Sequence, residues 1–375
     1  MRSNVNDANK GHNFEALLSK IKAEENLSDA EITFLLNLQD EGQIEALFQQ
    51  ARNVRQNYFG NKIFMYGFIY ASTYCRNDCN FCLYRRSNSQ TTRYRKSKKE
   101  VVAAATRLAD SGIHLIDLTM GEDPAFYTDN GAGFDRLVDL IVSLQKKTGL
   151  PIMVSPGMVP AAVLRQLVTA GAVWYACYQE THSESLFKQL RPDQDYHSRM
   201  QSKVDAHHLG LLVEEGLLCG VGETPVHITH SLKVMKNLAP DQMRVMNFVP
   251  QPGTPMAKRA PPNPLRETLI IAIMRLIFPD RLIPASLDVA GIAGLRSRLN
   301  AGANVVTSIV PPGEGLVGVA QHSLNIEEGG RTTAAVKSLL QSVGLQPATR
   351  KEYQNWIKRR QHVVAKHQIR AEVAC

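Results

Sequence analysis

Beyond about residue 60 the chain alternates short apolar runs with amphipathic stretches, and that alternation leaves few folds open. Strands are expected at Ile63–Ala71, His114–Thr119, Ile152–Ser155, Val173–Gln179, Leu217–Val221, Arg244–Val249, Leu282–Leu287 and Asn304–Val310. Between them, apolar residues recur at helical spacing in Lys98–Ala109, Phe134–Lys147, Ala161–Ala170, His197–Glu215, Thr224–Asn237 and Pro264–Ile277, with Thr333–Ser342 after the last strand. About eight strand–helix pairs over roughly 280 residues suit an α/β fold of the (β/α)8 TIM-barrel type, whose usual length is about 250. An open doubly wound sheet is the alternative, but no Gly-rich phosphate fingerprint follows the first strand. The barrel is the expected fold.

The first ~60 residues have a different texture. Asn13–Glu24 and Ser28–Gln50 are predicted helices, and Ser28 followed by Glu31 forms a capping box. The expected organisation is therefore a helical extension over 1–60, the barrel over 61–345 and a basic tail over 346–375. No apolar run reaches about 18 residues, so no membrane span is expected. The N-terminus lacks the apolar stretch of a secretory signal, which points to the cytoplasm. Six cysteines in such a chain are expected as thiols or metal ligands rather than disulfides.

The net charge of +8 raises the question of nucleic acid. Much of the excess lies in Arg85–Lys99 and Arg350–Arg370, and neither stretch interleaves aromatics in the way that stacks bases. Anionic groups of small molecules account for basic residues beside a cleft equally well, so no nucleic-acid partner is expected.

The sharpest chemical signal is Ser72-Thr-Tyr-Cys75-Arg-Asn-Asp-Cys79-Asn-Phe-Cys82, which follows the first predicted strand. Three thiolates within eight positions can wrap a compact inorganic core, and a loop leaving a barrel strand at its carboxyl end would present that core to the lumen. A structural zinc site wants four protein ligands and is closed when complete, so zinc would need a distant fourth ligand. A [4Fe–4S] cube held by Cys75, Cys79 and Cys82 keeps one iron open. The amino and carboxylate groups of S-adenosylmethionine can chelate that iron, and reductive cleavage there releases a 5′-deoxyadenosyl radical able to take hydrogen from unactivated carbon. Cys177 falls out of phase with Ala176, Tyr178 and Glu180 and is expected to face the outer helices. Cys219 and the terminal Cys375 are expected to be a buried thiol and a tail residue.

Polar residues at the carboxyl ends of barrel strands are candidate ligand contacts. Asp117 and Thr119 end the second strand, with Gly121-Glu122-Asp123-Pro124 after them; Ser155 ends the third and Glu180 the fourth, with Arg191 just beyond. Ser286 and Asp288 end the seventh, while Arg244, Thr307 and Ser308 lie deeper in their strands. Arginines mixed with carboxylates in one lumen suit a zwitterion, so the expected substrate is an amino acid.

Longer matches refine this. NYFGN at Asn57, STYCRNDCNFC, DLTMGEDP at Asp117, SPG at Ser155, YQET at Tyr178, LRPDQ at Leu190, RVMNFVPQPGTP from Arg244, RLIPASLD from Arg281 and LNAGANVVTSIVPP from Leu299 together resemble the methylornithine synthase family of radical S-adenosylmethionine enzymes. The resemblance runs from about Asn57 through Gly344. It implies a radical S-adenosylmethionine barrel that isomerises L-lysine to (3R)-3-methyl-D-ornithine, the first step of pyrrolysine biosynthesis, by hydrogen abstraction, fragmentation and recombination. It also implies a reduced flavodoxin- or ferredoxin-type electron donor. Carried over by motif, Cys75, Cys79 and Cys82 look like cluster ligands, and Ser155, Glu180 and Arg191 like S-adenosylmethionine contacts. Asp117, Arg244, Ser286, Asp288 and Thr307 look like the amino-acid pocket. A biotin synthase or hydrogenase-maturase type of activity stays open at this point, although sulfur insertion would need a second cluster.

Overall fold

The computed structural model describes residues 13–128, 133–311 and 330–373. Helices α1 (Phe14–Lys22), α2 (Asp29–Leu36) and α3 (Glu41–Phe59) come first. Ser28 and Glu31 make the expected capping box on α2. The single helix expected over Ser28–Gln50 is two, however. The Asn37 amide donates to the Thr33 carbonyl at 2.8 Å and closes α2. The Asp40 carboxylate then accepts from the backbone N–H of Gln43 and opens α3.

The parallel strands follow as β1 (Lys62–Ser72), β2 (Leu115–Met120), β3 (Ile152–Ser155), β4 (Ala172–Ala176), β5 (Leu212–Cys219), β6 (Gln242–Asn247), β7 (Pro284–Ser286) and β8 (Val305–Ile309). Helices alternate with them: α4 (Lys98–Ser111), α5 (Asp135–Thr148), α6 (Ala161–Thr169), α7 (Glu184–Leu190), α8 (Tyr196–His208), α9 (Pro225–Leu238), α10 (Pro264–Ile277), α11 (Leu295–Asn300) and α12 (Thr333–Ser342). The sheet runs β6-β5-β4-β3-β2-β1-β8-β7, and a single bridge between Gln242 and Leu282 brings its two edges together at the amino end. The result is a (β/α)8 barrel that is nearly closed, as the sequence pattern required.

Strand alternation sorts side chains into two layers. On β1, Ile63, Met65 and Ile69 face the helices, and Phe64, Tyr66, Phe68 and Tyr70 face the lumen. Cys177 lies in the outer apolar layer, as expected from its phase, Cys219 is a buried thiol in the same layer, and Cys375 lies outside the described residues.

One strand corrects the sequence reading. His197–Glu215 was expected as one helix, with the fifth strand beginning at Leu217. The helix instead ends at His208, Gly210 takes a left-handed φ of 84°, and β5 starts at Leu212. Glu214 and Glu215 look like the solvated end of a helix, yet both are fully buried, because the fold supplies each with cationic partners. In the opposite direction, β4 ends at Ala176 rather than Gln179, and the chain then crosses toward β5 at Glu180.

A short strand β9 (Gln346–Pro347) pairs with the start of β1, and α13 (Arg350–Val373) closes the amino end of the barrel. The Trp356 ring stacks on Trp174 with centroids 5.9 Å apart, and the Tyr353 hydroxyl donates to that of Tyr66 at 2.8 Å. The Arg360 guanidinium grips the buried Asp241 carboxylate through two nitrogens, at 2.8 and 3.0 Å. Among the described residues, the lumen is therefore packed at the amino end, and its cavity lies toward the carboxyl ends of the strands.

Candidate active site

The cysteine loop leaves β1 at Thr73 and returns at Arg95, whose backbone bridges to Ser72. Much of its basic content is spent holding it in shape. The Arg93 guanidinium donates to four carbonyls, those of Thr73, Tyr84, Arg85 and Asn88. The Arg95 side chain pairs with Asp123 at 2.6 and 2.8 Å, and Arg85 with Asp78 at 2.7 Å. Opposite the loop sits Gly121, where a Cβ would fall 2.2 Å from the Tyr74 carbonyl oxygen. Only glycine lets β2 approach the loop this closely.

Within the loop, the three thiols feel one another. Burial pushes the Cys82 thiol far up, and Cys79 and Cys75 push it further. Burial and Cys79 act on Cys75 in the same sense. The Cys79 sulfur accepts from the Arg191 guanidinium at 3.3 Å and from the Gln194 amide at 3.1 Å. Among the described residues, no group of three or more His, Cys, Asp or Glu side chains could hold a single metal ion. Three thiols that perturb one another within one loop, with donors to the Cys79 sulfur, suit a cube bound at three corners.

Glu180 stands between this loop and the lumen. Its backbone is left-handed, with φ 68°, and is pinned on both sides to β5: its N–H donates to the Gly216 carbonyl and its carbonyl accepts from Leu218, each at 3.0 Å. Its carboxylate pairs with Arg191 at 2.8 Å. Burial pushes that carboxyl up, and Arg191 and Arg199 pull against the shift. Arg191 thus bridges Glu180, the Tyr178 carbonyl and the Cys79 sulfur.

A cavity of about 200 Å³ starts at Phe81 and Cys82 and runs into the barrel mouth. Asp117, Ser155, Glu180, Arg244 and Asp288 all line it, so five of the eight ligand contacts expected from the sequence share one space with a cysteine of the loop. Phe68, Tyr70 and Met120 supply apolar wall. Arg191 sits on the cysteine side. Ser286 and Thr307 are buried behind the wall: the Ser286 hydroxyl accepts from the Asp288 N–H at 3.2 Å, and the Thr307 hydroxyl accepts from Arg244 at 3.2 Å.

Charges in the cavity are unevenly matched. Asp288 pairs with Arg331 at 3.2 Å. Asp117 accepts from the Thr119 hydroxyl at 2.8 Å. Burial raises the Asp117 carboxyl to about 7; Arg244 pulls it down, while Glu214 and Asp288 push it further up. Burial also opposes the charge on Arg244, but Glu214, Tyr178 and Asp117 more than reverse that effect. Glu214 and Arg331 are the site residues the sequence reading missed. Glu214 lay inside a mistaken helix, where only its phase with Gly216 and Leu218 marked it as lumenal. Arg331 follows the last strand at a distance that carries no periodic signal.

The radical SAM superfamily profile matches residues 69–235. Over 332 residues the chain is 43% identical to the 3-methylornithine synthase of Methanosarcina acetivorans, covering 88% of this chain and 93% of that protein. The chain belongs to the methylornithine synthase family. A second member, from Methanosarcina barkeri, is 41% identical over 91% of this chain and 96% of its own length. A crystal structure of methylornithine synthase superposes with a TM-score of 0.86 at 41% identity, covering 91% of this chain and 99% of the other. Enzymes of the radical SAM superfamily use a [4Fe–4S] cluster and S-adenosylmethionine. The cysteine loop and the lumenal cavity adjoin at Phe81 and Cys82. No helix among the described residues is long and apolar enough to cross a membrane.

Proposed function

We propose that the chain isomerises L-lysine to (3R)-3-methyl-D-ornithine, the opening step of pyrrolysine biosynthesis, as a radical S-adenosylmethionine mutase. One observation carries the reading. The cavity that begins at Cys82 is lined by a cation, Arg244, and, besides the Arg191-paired Glu180, by two further carboxylates, Asp117 and Asp288, a mixed charge set that suits a diamino acid. The name 3-methylornithine synthase, borne by relatives over nine-tenths of their length, supports it.

When bound, the cluster and S-adenosylmethionine supply a 5′-deoxyadenosyl radical that removes hydrogen from an unactivated carbon. The protein's part is positioning. Cys75, Cys79 and Cys82 ligate the cluster. Glu180, Arg191 and Ser155 hold the cosubstrate at the boundary between loop and lumen. Arg244 takes the substrate carboxylate, and Asp117 and Asp288 take the two ammonium groups. Ser286 and Thr307 act from behind, by fixing Asp288 and Arg244. Phe68, Met120 and the ring of Tyr70 give the cavity an apolar stretch of wall that would help to keep water from a reacting substrate. We further assign residues 61–345 to the catalytic barrel, 1–60 to a helical extension and 346–375 to the basic tail. The reductant is a flavodoxin- or ferredoxin-type protein, and the setting is the cytoplasm.

The test is anaerobic incubation of reconstituted protein with labelled lysine, S-adenosylmethionine and a reductant, followed by mass spectrometry. Labelled methylornithine is the expected product. Deoxyadenosine released without a new amino acid would remove lysine as substrate, and a colourless, zinc-loaded protein would remove the cluster.

Asp117 gives a second check. With its carboxyl raised to about 7, it is neutral below that pH and able to hold an ammonium above it. Lysine affinity should therefore rise as pH climbs through about 7, by up to roughly tenfold per unit on the acid side. Asp117→Asn should weaken binding and flatten that profile. An unchanged slope in the variant would place the titration elsewhere.

A further inference from the structure

We infer that Glu214 is the positioning residue that makes the cavity selective for a carboxylate-bearing substrate, because it aims Arg244 from outside the cavity. The inference rests on the lysine reading above and deepens it.

Glu214 and Arg244 lie on neighbouring strands, and the register sets Glu214 beside Gln242 and Gly216 beside Arg244. All three polar side chains are buried, with no solvent to share their hydrogen bonds. The two oxygens of Glu214 are both used. Oε1 accepts from Arg244 Nε at 2.8 Å and from the Gln242 amide at 2.7 Å. Oε2 accepts from the Tyr178 hydroxyl at 2.8 Å. Both oxygens of Glu214 are thus held by protein donors, and Glu214 does not line the cavity.

Arg244 is left with a defined vacancy. Its Nε is held by Glu214 and its Nη1 by the Thr307 hydroxyl. Its Nη2 is buried and has no partner. A buried guanidinium nitrogen without an acceptor is costly, and the guanidinium is rigid, so two fixed nitrogens determine where the third points. Because Arg244 lines the cavity, that nitrogen is the natural donor to an anionic oxygen entering there.

Tyr178 locks the arrangement from the other side. Its ring lies against β5 so closely that a Cβ on Gly216 would fall 2.8 Å from its Cδ1. The Arg244 guanidinium sits 5.6 Å from the centre of the same ring. Gly216 thus admits the ring, the ring's hydroxyl fixes Glu214, and Glu214 fixes Arg244. The unit is built before any ligand arrives, so a carboxylate meets an oriented donor instead of ordering one.

A merely structural role for Glu214 would weaken every ligand alike. A positioning role weakens only those that carry a carboxylate. The discriminating pair is L-lysine and 1,5-diaminopentane, which is lysine without its carboxylate. Equilibrium dialysis of each radiolabelled compound, on anaerobically reconstituted protein with S-adenosylmethionine and no reductant, measures binding without turnover.

Wild-type protein should prefer lysine by roughly a hundredfold, the order of a charge-assisted pair in a buried site. Glu214→Gln should cut that preference to within about threefold, with diaminopentane binding unchanged within about twofold. Tyr178→Phe, which removes only the hydroxyl that holds Glu214, should reduce the preference by several-fold, and it decides the matter should Glu214→Gln fail to fold. A full preference retained in Glu214→Gln, or in Tyr178→Phe where that is the variant available, overturns the inference. So does a parallel loss of both ligands. A wild type that shows no preference removes the lysine reading itself, and this inference with it.

Discussion

Cys79→Ala is expected to leave the protein colourless after anaerobic reconstitution and without product from lysine. A cube bound at three corners cannot stay in place with two thiolates, and the loop holds no substitute ligand: among the described residues, Cys177 and Cys219 lie in the outer apolar layer. Cys79 is also the sulfur that accepts from Arg191 and Gln194, so its loss strips the cluster site of its two donors. Iron per chain should fall from about four to background. Cys177→Ala should keep the full iron count, because its side chain faces the helices. A Cys79→Ala protein that retained about four irons would move the cluster to other ligands and undo the assignment of the loop. Iron well above four in the wild type would revive a second cluster and, with it, sulfur-insertion chemistry.

How far the sequence alone reached depended on whether a feature is local or is completed by distant partners. The cysteine loop is local: three ligands and their spacing sit in one segment, and a strand before it sets its direction. The lumen phase of Asp117, Ser155 and Asp288 was legible for the same reason, since alternation along one strand decides it. Glu214 and Glu215 were not legible. Two adjacent carboxylates beside His207 and His208 resemble the end of a solvated helix, and only the structure shows Arg244 on one face and Lys203 on the other. The break between α2 and α3 was written in Asn37 and Asp40, but a capping pair inside a continuous apolar period is easily overrun. Trp174 and Trp356 meet across almost half of the sequence, and nothing in either neighbourhood announces the stack.

The largest stability effect is expected on the outer face of the same strand. Glu215 is fully buried between β5 and α8, where its carboxylate accepts from the backbone N–H groups of Gln179 and Gly216, both at 2.7 Å, and pairs with the buried Lys203 ammonium. Lys203 also donates to the Gln179 side chain at 2.8 Å. Burial opposes the Glu215 charge, but Lys203 and His182 override it and hold the carboxyl down at about 2. Glu215→Ala therefore leaves a buried ammonium without its counter-ion, at a cost of about 3–5 kcal/mol. It also leaves two backbone donors unmet, at roughly 1–3 kcal/mol each. Those donors flank Glu180, whose left-handed backbone persists only because its neighbours are fixed. Urea unfolding should show the stability loss, and S-adenosylmethionine binding should fall with it. Adding Lys203→Met removes the stranded charge and should recover much of the stability, since an apolar replacement of a buried ion pair is often neutral. It cannot return the acceptor for Gln179 and Gly216, so cosubstrate binding should stay impaired in the double variant. The two readouts then separate: charge compensation governs the fold, and the backbone acceptors govern where Glu180 stands. A Glu215→Ala protein with wild-type stability, or a double variant with restored cosubstrate affinity, would break that division.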